Sequence, residues 1–464
     1  MRFSLIRKKL EEAGDFLDNP LGFSRVILNQ TIWSKQLEIL QSVERFPRTA
    51  VKACHASGKT FIAAVLVLWW ITRHKEAIVV TTAPTWMQVK RVLWGEIHHL
   101  VAQAEMDYPK PTATSLHLGP NRYAIGISTN EGVRIQGFHA KKVLFVIDEA
   151  PGVLTDIYEA MEGIRAGGDV RVLALGNPVI SSGPFYDAFT SQLEGWNQIT
   201  ISAFDTPNLA GVTLEQLVAM SDEELDQNPN PSLTTRRWVK EKYEEWGPGH
   251  PLWESRVLGN FPTESEDALL SLTSLEKAKL RTDGDGEVCA GLDVGGPGED
   301  ETVLCVRRGP RIVLLRAWAK KDARGAVVAA LLPFKSQLKT LNVDAVGIGY
   351  YMAQHLKDVG FPVTNINVGQ AARDKKTYSN LKAELYWNFR LRAISGDLAG
   401  LSDEKTIVQL LGIRYRHTSQ GLIEIESKEE ARKRGVKSPD RAEAVILAFA
   451  NVRYAEPRIR SLRD

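Results

Sequence analysis

The chain has 464 residues, 44% hydrophobic and 25% charged, with a formal net charge of +2. At roughly 150 residues per domain that length implies two or three domains, and the near-neutral balance excludes a polycation, so any nucleic-acid contact has to come from local basic clusters. Three cysteines without CxxC or Cys/His spacing argue against a zinc site or a disulfide framework and suit a reducing cytosol. The first residues lack the apolar core of a secretory signal. The longest apolar run, residues 61–71, falls short of the roughly 20 residues that span a bilayer.

Residues 31–46, TIWSKQLEILQSVERF, put Ile32, Trp33, Leu37, Ile39, Leu40 and Val43 at helical spacing. Gln36 at the start of that helix is a candidate to read an adenine edge, although facing solvent is the commoner fate of a helix Gln. Next comes VKACHASGKT, residues 51–60, running directly into FIAAVLVLWW. A Gly-Lys-Thr triplet between a strand and a helix is the phosphate-gripping half of a P-loop. Backbone N–H groups around Ser57 and Gly58 cradle phosphate oxygens, Lys59 neutralises the outer phosphates, and the Thr60 hydroxyl ligates Mg²⁺. The loop departs from the usual pattern, with Ala53 in place of the leading Gly, and an ordinary Gly turn before a buried helix would look similar. A short strand at 77–81 and a helix through VKRVLWGEIHHLV continue a βαβ rhythm, the mark of a parallel sheet.

The run KKVLFVIDEA suits a central strand, 143–147, buried on both faces and delivering two carboxylates at its C-terminal end, where α/β sheets bind ligands. Asp148 is expected to hold Mg²⁺ and Glu149 to orient and deprotonate the attacking water; an Asp-Glu pair also suits a helix cap. Each half of this pattern raises the odds of the other, and together they point to an ATPase. A further strand, RVLALGNP, ends in a polar turn whose Asn177 is a candidate γ-phosphate sensor, in a setting that turn formers alone also explain. Arg134 is a candidate arginine finger, in cis or across a ring. Residues 203–262 mix acidic runs, prolines and amphipathic helix and read as a small lid, in which Arg236, Arg237 and Lys240 suit DNA, a neighbouring subunit or solvent equally. The expected organisation is an ATPase domain over 1–262 that includes this lid, a linker over 263–286, a nuclease domain over 287–455, and a basic tail over 456–464.

The second half opens with three strands joined by Gly/Pro turns, the first carrying Asp293. A helix, a short strand bearing Asp344, a helix and hairpin, and the final helix KSPDRAEAVILAFA follow. That last helix is expected to start with Ser438 as N-cap, Pro439 at the first helical position and Asp440 in the first turn, with Glu443 on the same face. This is the element order of a ribonuclease H-like nuclease core, in which separated carboxylates converge on two divalent ions. Asp293, Asp344 and Asp440 are the expected ligands, Asp300 and Glu443 the reserves. Arg414, Arg416, Lys428, Arg432, Lys433, Arg434 and Lys437 crowd the same region and are expected to meet phosphates.

The P-loop with a basic residue inside it, the Asp-Glu strand, the Gly-Asn-Pro exit and the closing SPDRAEA together resemble the large terminase subunits of tailed bacteriophages, from about Trp33 to Phe449. The resemblance places the family's P-loop on His55, Gly58, Lys59 and Thr60, its Asp-Glu pair on Asp148 and Glu149, and its nuclease acids on Asp293, Asp344 and Asp440. His55 departs from the usual Arg or Lys, and a neutral imidazole is a weaker charge clamp near pH 7. What the resemblance implies is an ATP- and Mg²⁺-dependent motor, with Mn²⁺ able to serve the nuclease, pumping double-stranded DNA into a procapsid and cutting the concatemer. It further implies a pentameric ring on the portal protein, a small terminase subunit that selects DNA, and a place in the infected host's cytoplasm rather than in the mature virion or a membrane. A helicase-like repair or defence translocase with a fused nuclease, and a nucleotide-dependent assembly scaffold, are the competing readings.

Overall fold

The computed structural model describes residues 14–128, 138, 140–165, 168–191, 195–263, 267–296, 301–319, 323–345, 347–434 and 438–451. The chain divides into two compact units, residues 1–263 and 264–464.

The first unit is built on a seven-stranded sheet. Its strands are β1 (Arg48–Ala53), β2 (Ala77–Thr82), β3 (Ser115–Gly119), β4 (Arg122–Gly126), β5 (Lys142–Ile147), β6 (Asp169–Gly176) and β7 (Asn197–Ile201). Their spatial order is β3-β4-β2-β5-β6-β1-β7, and only the β3–β4 pair is antiparallel. Alternate residues of the central strands feed two separate cores. Val79, Leu144, Val146, Leu173 and Leu175 pack with the helix Lys59–Arg73 on one face, while Ile78, Val80, Phe145, Ile147 and Val172 pack with the helix Thr155–Arg165 on the other. Burial on both faces is why these strands read as unbroken apolar runs rather than as alternation. The edge strands β3 and β7, and β4 next to the edge, lack such runs, and the sequence offered little sign of them.

The second unit carries a five-stranded sheet of order β10-β9-β8-β11-β12. Here β8 (Val288–Asp293), β9 (Glu301–Arg308) and β10 (Arg311–Ala319) form the antiparallel meander, and β11 (Leu338–Asp344) and β12 (Val363–Ile366) run parallel to β8. Three antiparallel strands followed by two parallel ones, with helices between, is the ribonuclease H-like arrangement. The final helix, Asp440–Phe449, lies directly on β8. Gly291 makes this approach possible, since a Cβ there would stand 2.2 Å from the Ala448 nitrogen and 2.3 Å from the Ala444 oxygen. Both are backbone atoms and cannot swing aside, so only glycine lets helix and strand come this close.

Several local expectations change. Residues 272–280, expected within a linker, form the helix Leu272–Leu280 of the second unit, capped by the Ser271 hydroxyl. The helix expected ahead of the Asp344 strand is α-helical over Arg324–Leu331 and tightens into a 3₁₀ turn at Leu332–Phe334, because Pro333 cannot donate the next helical hydrogen bond. Pro439, expected at the first helical position, is itself the N-cap of Asp440–Phe449, and the Ser438 hydroxyl reaches the Asp440 carboxylate at 2.5 Å instead of capping the backbone. Asn342, a polar interruption of β11 in the sequence, is buried and donates to the Leu447 and Ala450 carbonyls at 2.8 and 3.0 Å, closing the end of the final helix. Among the described residues no helix is long and apolar enough to cross a membrane.

Candidate active sites

In the first unit β1 ends at Ala53, and the loop that follows turns through two left-handed residues, Ala56 (φ 47°) and Gly58 (φ 78°), into the helix Lys59–Arg73. Lys59 is buried, with Nζ 3.4 Å from the Cys54 carbonyl and 3.4 Å from Asn177 Oδ1. Thr60 Oγ1 donates to Asp148 Oδ2 at 3.1 Å, and Asn177 Nδ2 donates to the Ala53 carbonyl at 2.6 Å. Lys59 and Thr60 at the start of the helix that follows β1, and Asp148 and Asn177 just past the ends of β5 and β6, therefore meet. Burial first, and the Glu149 carboxylate beside it second, push the Asp148 pKa up to about 7. Such a group is stabilised by a cation, which fits a metal-binding role. The Ser57 hydroxyl is buried without a hydrogen-bond partner among the described residues, as expected of a donor meant for a ligand oxygen.

Glu149 sits at φ 48°, a left-handed conformation that costs a non-glycine residue of order 1–3 kcal/mol. The kink ends β5 abruptly and leaves consecutive acids in different surroundings, Asp148 buried and Glu149 half-exposed. Gly176, just ahead of Asn177, lies so close that a Cβ would come 2.4 Å from Pro151 Cδ. The exits of β5 and β6 are thus packed against one another. Gln36 is buried against the loop, its Oε1 accepting the Trp33 N–H at 3.3 Å and its Nε2 donating to the Gly58 carbonyl at 3.4 Å. Each end of that amide keeps capacity for one further partner. The His55 ring lies nearly parallel to Trp238 of the lid, centroids 6.1 Å apart. Arg134 lies outside the described residues.

In the second unit Asp293 ends β8, Asp440 opens the final helix, and Glu443 follows one turn later. One oxygen from each lies within 4.8 Å of the others, a spacing able to hold a divalent ion. Asp344 ends β11, the parallel neighbour of β8; it is not part of that trio, although its charge acts on Asp293. Glu443, held in reserve, joins the central group, because helical spacing stacks it above Asp440. Asp300 lies outside the described residues. Burial, then the Glu443 charge, with further push from Asp440 and Asp344 and relief from Lys428, hold the Asp293 pKa well above the ordinary carboxylate range. Carboxylates packed this tightly repel unless protonated or metal-bound, so the donor set fits hard divalent cations.

Two neighbours escaped sequence reasoning. Tyr386 is buried and its hydroxyl donates to Glu443 Oε1 at 3.1 Å, while Lys382 stands close enough to feel the charges of Glu443 and Asp344. Both lie on the helix Leu381–Ile394, and nothing in its local sequence points to the carboxylates. Lys428, expected to meet phosphate, instead pairs with Glu443 Oε2 at 2.8 Å. Arg414, Arg416 and Arg434 are likewise engaged by Asp267, by Glu424 and Glu430, and by Glu426. In the lid, Arg237 is held by Asp222 and Asp226. Arg432 and Lys433 are exposed, and Lys437 lies outside the described residues.

Fold and geometry define a P-loop nucleotide-binding unit joined in one chain to a ribonuclease H-like carboxylate unit. The chain is 24% identical, over 95% of its own length and 92% of the other, to "Probable terminase, large subunit" of Enterobacteria phage P7, and over nearly its whole length it is a relative of that terminase large subunit. No protein-family model matches it. Among solved structures it is similar to the HK97 bacteriophage large terminase, with TM-score 0.39 and 12% identity over 93% of this chain and 98% of that one. The large terminase of a thermophilic bacteriophage in complex with ATP-gamma-S gives TM-score 0.39 and 12% identity over 90% and 98% of the two chains. The nuclease domain of the large terminase subunit gp2 of bacterial virus Sf6 gives TM-score 0.36 and 19% identity, covering 40% of this chain and all of that domain.

Proposed function

We propose that the chain is the motor and nuclease subunit of a phage DNA-packaging machine, hydrolysing ATP to drive double-stranded DNA into a procapsid and cutting the concatemer. The observation that carries this reading is that two separate constellations form within one chain: Lys59, Thr60, Asp148 and Asn177 in the first unit, and Asp293, Asp440 and Glu443 in the second. Lys59 would neutralise the outer phosphates, Thr60 and Asp148 would hold Mg²⁺, and Glu149 would orient and deprotonate the attacking water. Asn177, bound at once to Lys59 and to the strand end at Ala53, registers the γ-phosphate, and Gln36 reaches the base. Arg134 supplies positive charge to the transition state.

In the nuclease unit Asp293, Asp440 and Glu443, with Asp344 alongside, would hold two divalent ions, Mg²⁺ or Mn²⁺. When bound, such ions supply an activated water and a counter-charge for the leaving oxygen of a phosphodiester. Tyr386 and Lys428 fix the Glu443 carboxylate from either side. A pentameric ring on the portal protein, a small terminase subunit that selects the DNA, and action in the infected host's cytoplasm complete the proposal.

ATPase and plasmid-cleavage assays on Lys59→Ala and Asp293→Asn test it. Lys59→Ala is expected to lower ATP turnover by at least about hundredfold while Mn²⁺-dependent nicking persists, and Asp293→Asn to do the converse. Loss of both activities in either folded variant would sink the assignment of independent sites.

A further inference from the structure

The P-loop is held from outside by the lid. A phosphate cradle needs backbone N–H groups aimed at the ligand, and in a trans peptide the C=O points opposite to the N–H that follows it. Whatever grips the carbonyls of the loop therefore aims its amides. The peptides of this loop are trans, and two successive carbonyls are gripped by one residue. The Thr234 hydroxyl donates to the His55 carbonyl, and the Thr234 N–H donates to the Ala56 carbonyl at 3.0 Å. The Ala56 and Ser57 N–H groups are thereby turned the other way, and neither donates to a backbone acceptor among the described residues. The loop is anchored just before this point as well, Cys54 N–H to the Ile201 carbonyl and His55 N–H to the Arg256 carbonyl, both at 2.8 Å.

Thr234 is itself immobilised. It is buried, and its carbonyl accepts from Asn208 Nδ2 at 2.9 Å. The same amide donates to the Asn230 carbonyl at 2.7 Å, while Asn208 Oδ1 accepts the Asn230 N–H at 2.7 Å. Asn208 is fully buried, so these bonds are shielded from water and costly to leave unmade. One residue beyond Thr234, Thr235 caps the lid helix Arg236–Trp246, which carries Trp238 against the His55 ring.

We propose that Thr234 is a positioning residue for the nucleotide phosphates: buttressed by Asn208, it sets the direction of the Ala56 and Ser57 amides and couples the phosphate cradle to the lid helix. This rests on the nucleotide-binding reading above. It also accounts for the tolerance of Ala56 at positive φ, since two external hydrogen bonds hold a conformation that a loop of free glycines would adopt unaided.

The test measures binding of Mg²⁺-ATP and of Mg²⁺-tripolyphosphate to the full chain by calorimetry, with turnover in parallel, for wild type, Thr234→Val, Thr234→Ser and Lys59→Ala. Thr234→Val keeps the volume and loses the hydroxyl donor; it is expected to weaken both ligands by about five- to tenfold and to raise KM more than it lowers kcat. Thr234→Ser is expected to recover binding to within about twofold. Wild-type binding in Thr234→Val, a Ser variant as weak as the Val variant, or a loss seen with ATP but not with tripolyphosphate would each overturn the proposal. Should Thr234→Val fail to fold, Thr234→Ala is read on the same axes. If Lys59→Ala also binds and turns over like wild type, the nucleotide reading itself fails; loss in Lys59→Ala without loss in Thr234→Val removes only the positioning role.

Discussion

Two residues show how narrowly the candidate sites are tuned. At Gly176 a methyl group would meet Pro151 Cδ at 2.4 Å and the Ala150 nitrogen at 3.2 Å. Neither a proline ring nor a backbone nitrogen can rotate clear, so Gly176→Ala has to push apart the turns that carry Glu149 and Asn177. A shift of about 1 Å at such groups costs on the order of a hundredfold in rate. We therefore expect kcat for ATP to fall by roughly that factor with nicking of plasmid unchanged, checked by parallel assays. Tyr386 acts on the other site. Tyr386→Phe keeps the ring and removes the donor to Glu443, and loss of an outer partner of a metal-holding carboxylate typically costs about ten- to hundredfold in metal affinity. Titration of Mn²⁺ against the variant should show a loss near the lower end of that range, with wild-type ATP turnover.

At the scale of elements, the ends of β5 and β6 remote from Asp148 and Asn177 are joined by charge. Lys142 and Asp169 are register partners and form an ion pair, and Arg171 Nε adds a contact to Asp169 at 2.9 Å. Partial burial alone would raise the Asp169 pKa, but the hydrogen bond from Lys142 and the charge of Arg171 outweigh it and leave the pKa lowered. A lowered carboxylate pKa stabilises the fold in full above the unfolded value of about 4, and that contribution disappears as pH falls through the folded value. Because the pair is substantially solvent-exposed, its worth is under about 1 kcal/mol. Asp169→Asn should accordingly lower the urea midpoint slightly at pH 7, and the gap to wild type should close as pH drops below about 4. A gap that widened in acid would contradict the assignment. Which elements were legible in sequence follows from the same packing. The central strands β2, β5 and β6 announce themselves because both faces are buried, whereas β3, β4 and β7 sit at or near the sheet edges and carry mixed sequence. The role of Asn342 within β11 is not legible locally, because the helix end it satisfies lies more than a hundred residues away.

For the whole molecule, each unit has its own apolar core, with Leu66, Trp69, Leu144 and Leu173 in the first and Ala290, Leu304, Leu341 and Leu356 in the second. Two resolvable unfolding transitions are therefore expected in calorimetry. Mg²⁺-ATPγS at about 100 times its Kd should stabilise one of them by about 2.7 kcal/mol and leave the other in place; one cooperative transition shifted as a whole would count against this division.

What the sequence determined by itself were the motifs carried by contiguous residues. The Gly58-Lys59-Thr60 triplet, the strand running into Asp148 and Glu149, the turn at Asn177, and the strand order leading to Asp293 and Asp440 each depend on a few neighbours along the chain. Tertiary structure alone decided which distant groups complete the sites. Glu443 stands with Asp293 and Asp440 because the last helix, settled onto β8 over Gly291, carries both of its acids toward the strand end, and Tyr386 and Lys428 reach Glu443 from other helices. The P-loop, with Ala53 where a glycine is usual and His55 within it, depends in the same way on Thr234 and Asn208, some 150 to 180 residues further along. Hydrogen bonds and ion pairs form wherever the packed chain brings donors to acceptors, and that proximity is set by the packing of whole elements, which no local run of residues encodes.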